Sequence, residues 1–329
     1  MRAAVCRSYG PPEAVAVEDL PSPALGPDQV RVRIDAAAVN FPDVLLVANR
    51  YQISVPTPFV PGSEFAGVVT EVGPDSRFTG GERVVGTAMV GAFAEEVVVG
   101  EASLHPVPAG LDLAHAAAFG VAHRTAYSVL RSVAALQPGE ELIVLGAGGG
   151  VGLAAVQLGA VLGASVTAVA SSAAKLEVAA AHGATHLIDH TAGDLRAALR
   201  EVLPEGADVV VDPVGGALAE PALRAVRWGG RFVTVGYASG EIPRIPLNLV
   251  LLKGSRILGF EFLGFAAREP EEFHRNEEEL LALVASGRAV PHIGASFGLE
   301  DSAAALRLVG DGQAIGKVVI QVNDAAAPC

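Results

Sequence analysis

A glycine-rich stretch in the middle of the chain has the residue types and spacing to hold a phosphate group. Ala147, Gly149 and Gly152 form the pattern A-x-G-x-x-G. An apolar run, Glu141–Leu145, precedes the pattern and another, Val151–Leu162, follows it. Strand, glycine turn and helix in this order bring bare backbone and the positive end of a helix dipole to a pyrophosphate. The stretch therefore predicts a dinucleotide-binding unit, with alanine in the place of the first glycine.

The turn after the next predicted strand indicates which dinucleotide is bound. The strand Ser165–Ala170 is followed by Ser171 and Lys175, and the first acidic residue downstream is Glu177. NAD-dependent proteins of this fold place a carboxylate about 20 residues beyond the glycine pattern, where it holds the ribose hydroxyls and would repel a 2′-phosphate. Because a hydroxyl and an ammonium stand here instead, we expect NADPH to be preferred over NADH. The alternative is that Lys175 only faces solvent and that either cofactor is used.

Length and composition are those of a globular protein with room for two domains. The 329 residues are 51% hydrophobic and 18% charged, which excludes a disordered chain. The net charge of −13 argues against nucleic acid as a partner. Every apolar run is interrupted before the roughly 18 residues of a membrane helix. Only Cys6 and Cys329 are cysteines, so no disulfide framework is expected. We expect a cytoplasmic protein without a membrane partner.

The order of the predicted elements divides the chain into two kinds of structure. From Met1 to about residue 115, short strands are separated by proline and glycine, as in a mostly β domain. From Glu141, strands and helices alternate up to a last strand over Arg256–Phe262, which is typical of a parallel, doubly wound α/β sheet. Helices are predicted over Leu113–Val133 and Pro270–Ser286. The remaining short elements are expected to rejoin the first domain.

Several separate motifs make the chain resemble the zinc-free quinone oxidoreductases of the medium-chain dehydrogenase/reductase superfamily, the group that includes zeta-crystallin-like NADPH:quinone reductases. The resemblance runs nearly end to end. Its motifs are Asn40–Asp43, Pro61–Gly67, Gly81–Val84, Thr125–Tyr127, Ala147–Gly152, Asp212–Gly216 and Gly316–Val319. The resemblance implies a Rossmann domain over residues 116–262 and a GroES-like domain over residues 1–115, completed by residues 263–329, with the active site where the two meet.

The resemblance also implies which side chains surround the reacting groups. They are Asn40, Asp43, Tyr51 and Thr125, with Tyr51 next to the nicotinamide. A tyrosine or amide donor at the acceptor oxygen suits a site without a metal. Each has an alternative explanation: Asn40 as the N-cap of a helix over Phe41–Val47, Tyr51 as a packing residue and Thr125 as an ordinary helix residue. For Asp43 we favour a structural role, as an acceptor for backbone amides, over catalysis.

For the cofactor, the resemblance implies contacts along its whole length. These are Gly149, Gly150, Val151 and Gly152 at the pyrophosphate, Ser171, Lys175 and His190 at the adenosine end, Val235, Gly236 and Tyr237 at the nicotinamide ribose, Phe260 and Phe262 at the carboxamide, and Lys317 at a phosphate. Each also has an ordinary explanation: His190 as a loop residue, for example, or Phe262 as part of the core. Only together do they favour a cofactor site.

A metal is not expected. Zinc-dependent relatives have a cysteine near the place of Asn40 and a Gly-His-Glu sequence near Gly62–Glu64, and this chain has neither the thiolate nor the imidazole there. Three histidines, His182, His186 and His190, have a metal-like spacing only on a helix, whereas a strand is predicted at the second of them.

The expected function is that of an NADPH-dependent, zinc-independent reductase that passes hydride to a quinone or an α,β-unsaturated carbonyl. Two alternatives are kept: an enoyl-thioester or alkenal reductase with the same cofactor, and a cofactor-binding module with little turnover. A homodimer is also expected, because Arg256–Phe262 would be the edge strand of the Rossmann sheet and its unpaired backbone groups can pair with those of a second copy.

Overall fold

The computed structural model describes residues 1–323, and the chain divides into two compact units. The first unit consists of Met1–Val121 together with the chain from Val290 onward, and the second unit is Ala122–Ala289. The predicted combination of a mostly β domain with a parallel, doubly wound domain is confirmed by the sheets described below.

Fifteen strands are formed by the described residues. They are β1 (Arg2–Cys6), β2 (Val15–Asp19), β3 (Gln29–Val39), β4 (Glu64–Val72), β5 (Arg83–Thr87), β6 (Glu96–Gly100), β7 (Leu104–Pro106), β8 (Glu141–Leu145), β9 (Ser165–Ala170), β10 (His186–Asp189), β11 (Ala207–Asp212), β12 (Val226–Thr234), β13 (Arg256–Gly259), β14 (Ile293–Gly298) and β15 (Lys317–Gln321).

Eleven α-helices accompany these strands within the same residues. They are α1 (Phe41–Val47), α2 (Leu113–Ala117), α3 (Ala122–Ser128), α4 (Gly150–Val161), α5 (Ala173–Ala181), α6 (Leu195–Val202), α7 (Ala219–Ala225), α8 (Asn248–Lys253), α9 (Phe262–Arg268), α10 (Pro270–Ala285) and α11 (Ser302–Gly310). None of these helices has both the length and the apolar character that crossing a bilayer requires.

The second unit is built on a six-stranded parallel sheet with the order β10-β9-β8-β11-β12-β13. Strands β8 and β11 are buried almost throughout, as expected where helices cover both faces of a parallel sheet. The strand order reverses between β8 and β11, and ligands of such sheets bind at the carboxyl ends of the strands at this point. The glycine-rich stretch follows β8 directly, so the fold places it at this position.

The first unit contains a seven-stranded sheet with the order β14-β15-β3-β4-β5-β7, in which β6 also pairs with β3. The long central strand β3 pairs antiparallel with β4, with β6 and with β15, where Val318 faces Val39. Its apolar side chains form one core with those of α1 and α11. A separate antiparallel pair is formed by β1 and β2.

Two predicted elements differ from the structure. The predicted helix Leu113–Val133 is interrupted between α2 and α3, where the N–H of Val121 donates to the Glu64 carboxylate at 2.7 Å. The predicted strand Arg256–Phe262 ends at Gly259, and Phe262 begins helix α9. The Glu261 carboxylate accepts the N–H groups of the next turn and so caps that helix.

The expected boundary between residues 262 and 263 lies instead after Ala289. Helix α10 belongs to the second unit because polar contacts join it to α3. The Arg124 guanidinium lies 2.8 Å from the Glu277 carboxylate, and the Tyr127 hydroxyl donates to Glu279 at 2.6 Å. The first boundary, expected after residue 115, lies after Val121 for a similar reason, since α2 packs on β3 and β4 of the first unit.

Candidate functional site

The glycine loop makes a sharp turn between β8 and α4. Gly146 has φ +62°, a conformation that favours glycine, and Ala147 is fully buried. The residue that makes the turn is therefore Gly146, one place before the position predicted from the spacing. Gly149 stands at the N-cap of α4, which begins at Gly150.

The remaining glycines of the loop leave room for close contacts. A Cβ atom on Gly152 would lie 2.0 Å from the Gly146 carbonyl oxygen, so the first turn of α4 packs directly on the loop. A Cβ atom on Gly149 would come no nearer than 3.6 Å to that oxygen. The first N–H groups of a helix have no partner within it, and those of α4, including Val151, are suited to bind an anion. The loop thus fits a pyrophosphate.

A loop after β11 adjoins the glycine loop. A Cβ atom on Gly146 would lie 2.6 Å from Val214 Cγ2. The Asp212 carboxylate accepts the N–H groups of Val214 and Gly215, both at 2.8 Å, and burial raises the pKa of Asp212. These bonds hold the loop at the point where the strand order reverses.

The segment after β12 lies against the same loop. The N–H of Val235 donates to the Asp212 carbonyl at 2.8 Å, and that of Gly236 does so at 3.4 Å. The ring of Tyr237 lies 2.8 Å from where a Cβ atom on Gly215 would be. The structure therefore brings Val235, Gly236 and Tyr237 together with the end of β11, beside the glycine loop.

The turn after β9 contains the cation expected there. Lys175 Nζ donates to Ser171 Oγ at 3.2 Å, and burial lowers the pKa of Lys175. The Ser172 hydroxyl accepts the N–H of Lys175 and caps α5. His190 follows β10, and its N–H donates to the Ala170 carbonyl at 3.1 Å. Ser171, Lys175 and His190 thus gather at the ends of β9 and β10.

Aromatic side chains follow β13. The ring centroid of Phe260 lies 6.4 Å from that of Phe262 and 5.5 Å from that of Phe265. Phe262 packs edge-on against Phe273 at 5.6 Å. The N–H of Phe260 donates to the Thr234 carbonyl at 3.1 Å, so the group starts at the carboxyl end of β12. Phe260 and Phe262 therefore lie together, although Phe262 is in a helix rather than in the predicted strand.

A buried polar cluster lies in the first unit, where β15, the start of α1 and the start of β4 meet. We call Asn40, Asp43, Glu64 and Lys317 the Lys317 cluster. Lys317 Nζ donates to Asn40 Oδ1 at 2.6 Å and to Glu64 Oε2 at 3.1 Å. The sequence predicted that Lys317 contacts a cofactor phosphate. In the structure the Lys317 side chain is only 4% exposed, and its ammonium lies between a carboxamide and a carboxylate.

Asn40 and Asp43 have the structural contacts that the sequence analysis kept as alternatives. Asn40 stands at the N-cap of α1, and its N–H donates to the Asp43 carboxylate at 2.7 Å. Burial raises the pKa of Asp43 to about 7, and the negative charge of Glu64 adds to the rise. The N–H of Asn40, the Ser63 hydroxyl and the Lys317 charge oppose it.

Tyr51 and Thr125 belong to different units. Tyr51 is half-buried and packs against the apolar core of the first unit. The loop that contains it is held at its far end, where Phe59 and Cys6 exchange backbone hydrogen bonds of 3.2 and 2.8 Å. Thr125 is buried in α3 of the second unit.

Sequence reasoning missed Glu64 as a member of the site. Glu64 is fully buried, and it joins Asn40, Lys317 and Val121. A carboxylate at the start of an apolar strand is the signal that was available for this residue. Among residues 1–323, no three His, Cys, Asp or Glu side chains are grouped in the way that a metal ion would require.

Two sequence families match the chain. The family described as "Zinc-binding dehydrogenase" matches residues 150–284, and the family described as "Alcohol dehydrogenase GroES-like domain" matches residues 26–109. The two matches fall in the second and the first unit, respectively, as the GroES-like and Rossmann description predicted.

Individual proteins match over nearly the whole chain. The quinone oxidoreductase-like protein 2 homolog of Nematostella vectensis is 36% identical over 328 residues, covering 98% of this chain and 89% of that protein. The quinone oxidoreductase of Pseudomonas aeruginosa is 34% identical over 305 residues, or 91% and 92% of the two chains. The Escherichia coli quinone oxidoreductase, solved in complex with NADPH, superposes with a TM-score of 0.90 at 25% identity, covering 98% of this chain and all of that one.

Proposed function

The chain belongs to the quinone oxidoreductases of the medium-chain dehydrogenase/reductase superfamily, and we propose that it transfers hydride from NADPH to a quinone or an α,β-unsaturated carbonyl without a metal. It is an NADPH-dependent oxidoreductase. The observation that carries the proposal is the nucleotide site of the second unit, where the glycine loop at the start of α4 is accompanied by Lys175 and Ser171.

The residues of the second unit fit NADPH from end to end. The N–H groups at the start of α4 suit its pyrophosphate. The ammonium of Lys175 and the hydroxyl of Ser171 suit a dianionic 2′-phosphate, and no carboxylate follows β9 before Glu177. The segment around Tyr237 and the group around Phe260 stand at the carboxyl ends of the strands, where the nicotinamide end is expected.

NADPH, when bound, supplies the hydride, and the protein supplies orientation and polar contacts. We assign the hydroxyl of Tyr51 the role of hydrogen-bond donor to the acceptor oxygen, where negative charge develops. Thr125 is assigned to the lining of the acceptor site. Asn40 and Asp43 support this site from the Lys317 cluster, because the Asn40 carboxamide and one oxygen of Asp43 have hydrogen-bond partners inside the first unit.

A homodimer is part of the proposal. Strand β13 is the last strand of its sheet, so one row of its backbone groups is left for a further strand. Exposed apolar side chains accompany it, namely Trp228 (75% exposed), Leu247 (75%), Leu251 (79%) and Leu252 (67%). Scattered apolar side chains are common on protein surfaces, whereas several of them near an open sheet edge favour a partner. A second copy of the chain, with β13 paired to β13, would cover both features.

The deciding experiment is a screen of NADPH oxidation with the purified chain, performed with and without a chelator. Quinones, enals, enones and enoyl thioesters are the acceptors, and NADH replaces NADPH in a parallel series. Turnover of quinones or enones with NADPH supports the proposal. Turnover of enoyl thioesters alone would identify the alternative reductase, and NADPH binding without turnover of any acceptor would identify a binding module.

A further inference from the structure

The Lys317 cluster contains the most deeply buried ion pair among the residues that the structure describes. Glu64 is fully buried, and Lys317 is one of only three lysines in the chain. Within the cluster, the ammonium of Lys317 donates to Asn40 Oδ1 and to Glu64 Oε2. Asn40 Nδ2 donates to the same Glu64 oxygen at 3.0 Å, so the three side chains form a closed triangle of hydrogen bonds. Three segments that are distant in sequence therefore meet at one ammonium group.

A gain in stability is a weak reason for burying a charge pair. Apolar side chains of similar volume often replace a buried ion pair without loss of stability, because they avoid the cost of desolvating two charges. What an ion pair does provide is a fixed geometry. The Asn40 carboxamide oxygen accepts from the ammonium, and its nitrogen donates to the carboxylate. Rotating the carboxamide by 180° would place a donor against the ammonium and an acceptor against the carboxylate, so only one orientation forms both bonds.

The fixed carboxamide is connected to the proposed acceptor site through the backbone. Asn40 stands at the N-cap of α1 and binds Asp43 through its N–H, and α1 leads within a few residues to Tyr51. The second oxygen of Glu64 accepts the N–H of Val121 at 2.7 Å, where the chain leaves the first unit. The cluster thus holds the N-terminal end of α1, and the other end of this helix leads into residues 48–63, which we call the Tyr51 loop.

We propose that Lys317 is a positioning residue of the reductase site, which acts through Asn40 and Glu64 to hold α1 and the following Tyr51 loop in the arrangement that reduction requires. The inference rests on the proposed function and adds a residue to it. It assigns to Lys317 a role that differs from a contact with a cofactor phosphate, and the two roles predict opposite effects on kcat and on cofactor binding.

The test is Lys317→Met in the full chain, with Lys253→Met as the matched control. Lys253 is also partly buried, but its ammonium bonds to the carbonyl groups of Arg224 and Val226 in the second unit. With the best quinone or enone acceptor, Lys317→Met is expected to lower kcat at least tenfold, while KM and Kd for NADPH stay within about twofold of wild type. The control is expected to keep kcat within about twofold.

The pH dependence of the melting temperature is a second readout, which loss of packing alone would not change. The Lys317 charge opposes the rise in the pKa of Asp43, so its removal shifts the pH dependence of the melting temperature to higher pH, whereas Glu64→Gln shifts it to lower pH. The double variant Glu64→Gln/Lys317→Met removes both charges of the buried Lys317–Glu64 pair and serves if the single variant does not fold. It is expected to fold and to keep the low kcat.

Three results would overturn the proposal. They are an unchanged kcat in Lys317→Met, a Kd for NADPH raised tenfold or more with kcat intact, and a double variant that does not fold, which would make the cluster a folding element. A wild-type chain that binds NADPH without reducing any acceptor would instead refute the proposed function, so the two failures are distinguishable.

Discussion

The side chain of Lys175 lies directly over Gly148 of the glycine loop. A Cβ atom on Gly148 would come within 2.5 Å of Lys175 Cγ and 2.6 Å of its Cβ, so any larger residue at position 148 would displace this lysine. The Lys175 ammonium remains 3.2 Å from the Ser171 hydroxyl. The glycine loop and the cation after β9 are therefore in contact with each other.

Lys175→Ala is expected to raise KM for NADPH by ten- to a hundredfold and to leave KM for NADH nearly unchanged. The reason is that a charge-assisted contact to the 2′-phosphate contributes roughly 1.5–3 kcal/mol, and NADH has no such phosphate. Steady-state kinetics with both cofactors measures this, with the exposed Arg200→Ala of α6 as the control. Equal effects on the two cofactors, or a wild-type preference for NADH, would contradict the assignment.

Asp43→Asn is expected to change how stability depends on pH. In the folded chain the pKa of Asp43 is raised to about 7, whereas an unfolded aspartate has a pKa near 4. Between these values folding takes up a proton, so the Asp43 contribution to stability falls as pH rises from about 4 to 7 and is constant above. Asparagine lacks this titration and still offers an oxygen to the N–H of Asn40.

The free energy of unfolding of Asp43→Asn, relative to wild type, is therefore expected to rise by roughly 2–3 kcal/mol between pH 5 and pH 8. Denaturant unfolding at several pH values measures it. Asp75→Asn, which changes an exposed carboxylate in the same unit, is the control. A flat difference for Asp43→Asn would mean that this carboxyl titrates like an exposed one.

Tyr51→Phe keeps the ring that packs against the core and removes only the hydroxyl. If the hydroxyl donates to the acceptor oxygen, kcat/KM should fall by about tenfold, which corresponds to ~1.4 kcal/mol. Tyr9→Phe is the control, because the Tyr9 hydroxyl bonds to the Val55 carbonyl in the same loop and is not assigned to the reaction. Equal losses in the two variants would point to the loop and away from a donated hydrogen bond.

The oligomeric state is expected to depend on the surface beside β13. Light scattering should give about twice the chain mass of 33.5 kDa for wild type at micromolar concentration. Leu251→Glu/Leu252→Glu places two charges on the exposed face of α8 and should give monomers. Leu187→Glu alters an exposed leucine on β10, at the opposite edge of the same sheet, and should leave the dimer intact. A wild-type monomer would refute the dimer outright.

Activity is expected to survive prolonged chelation. Asn40 is bonded to the ammonium of Lys317, and the adjacent carboxylate of Glu64 is shared with Val121, so the polar atoms at this place have protein partners. Dialysis against a strong chelator, followed by assay with and without added zinc, measures this. Loss of activity that zinc restores would show that a metal takes part.

Sequence patterns predicted those features whose determinants lie close together in the chain. The glycine loop, its strand and its helix follow one another directly, so residue spacing was sufficient to find them. Helix α9 was missed because the capping carboxylate of Glu261 lies in an apolar stretch that reads as strand. The contacts of Lys317 were missed because its partner Asn40 is 277 residues away, and no local pattern reports a hydrogen bond over such a distance.

The separation of 277 residues between Asn40 and Lys317 also determines the order in which the parts of the protein can be completed during synthesis on the ribosome. Strand β3 acquires its neighbour β15 only after the whole of Ala122–Ala289 has been synthesised, and that segment already contains all six strands of its own sheet. Chains are made from the N-terminus, and domains fold as units when their residues are available. The first unit therefore begins first and finishes last, and Glu64 has no ammonium partner until Lys317 emerges.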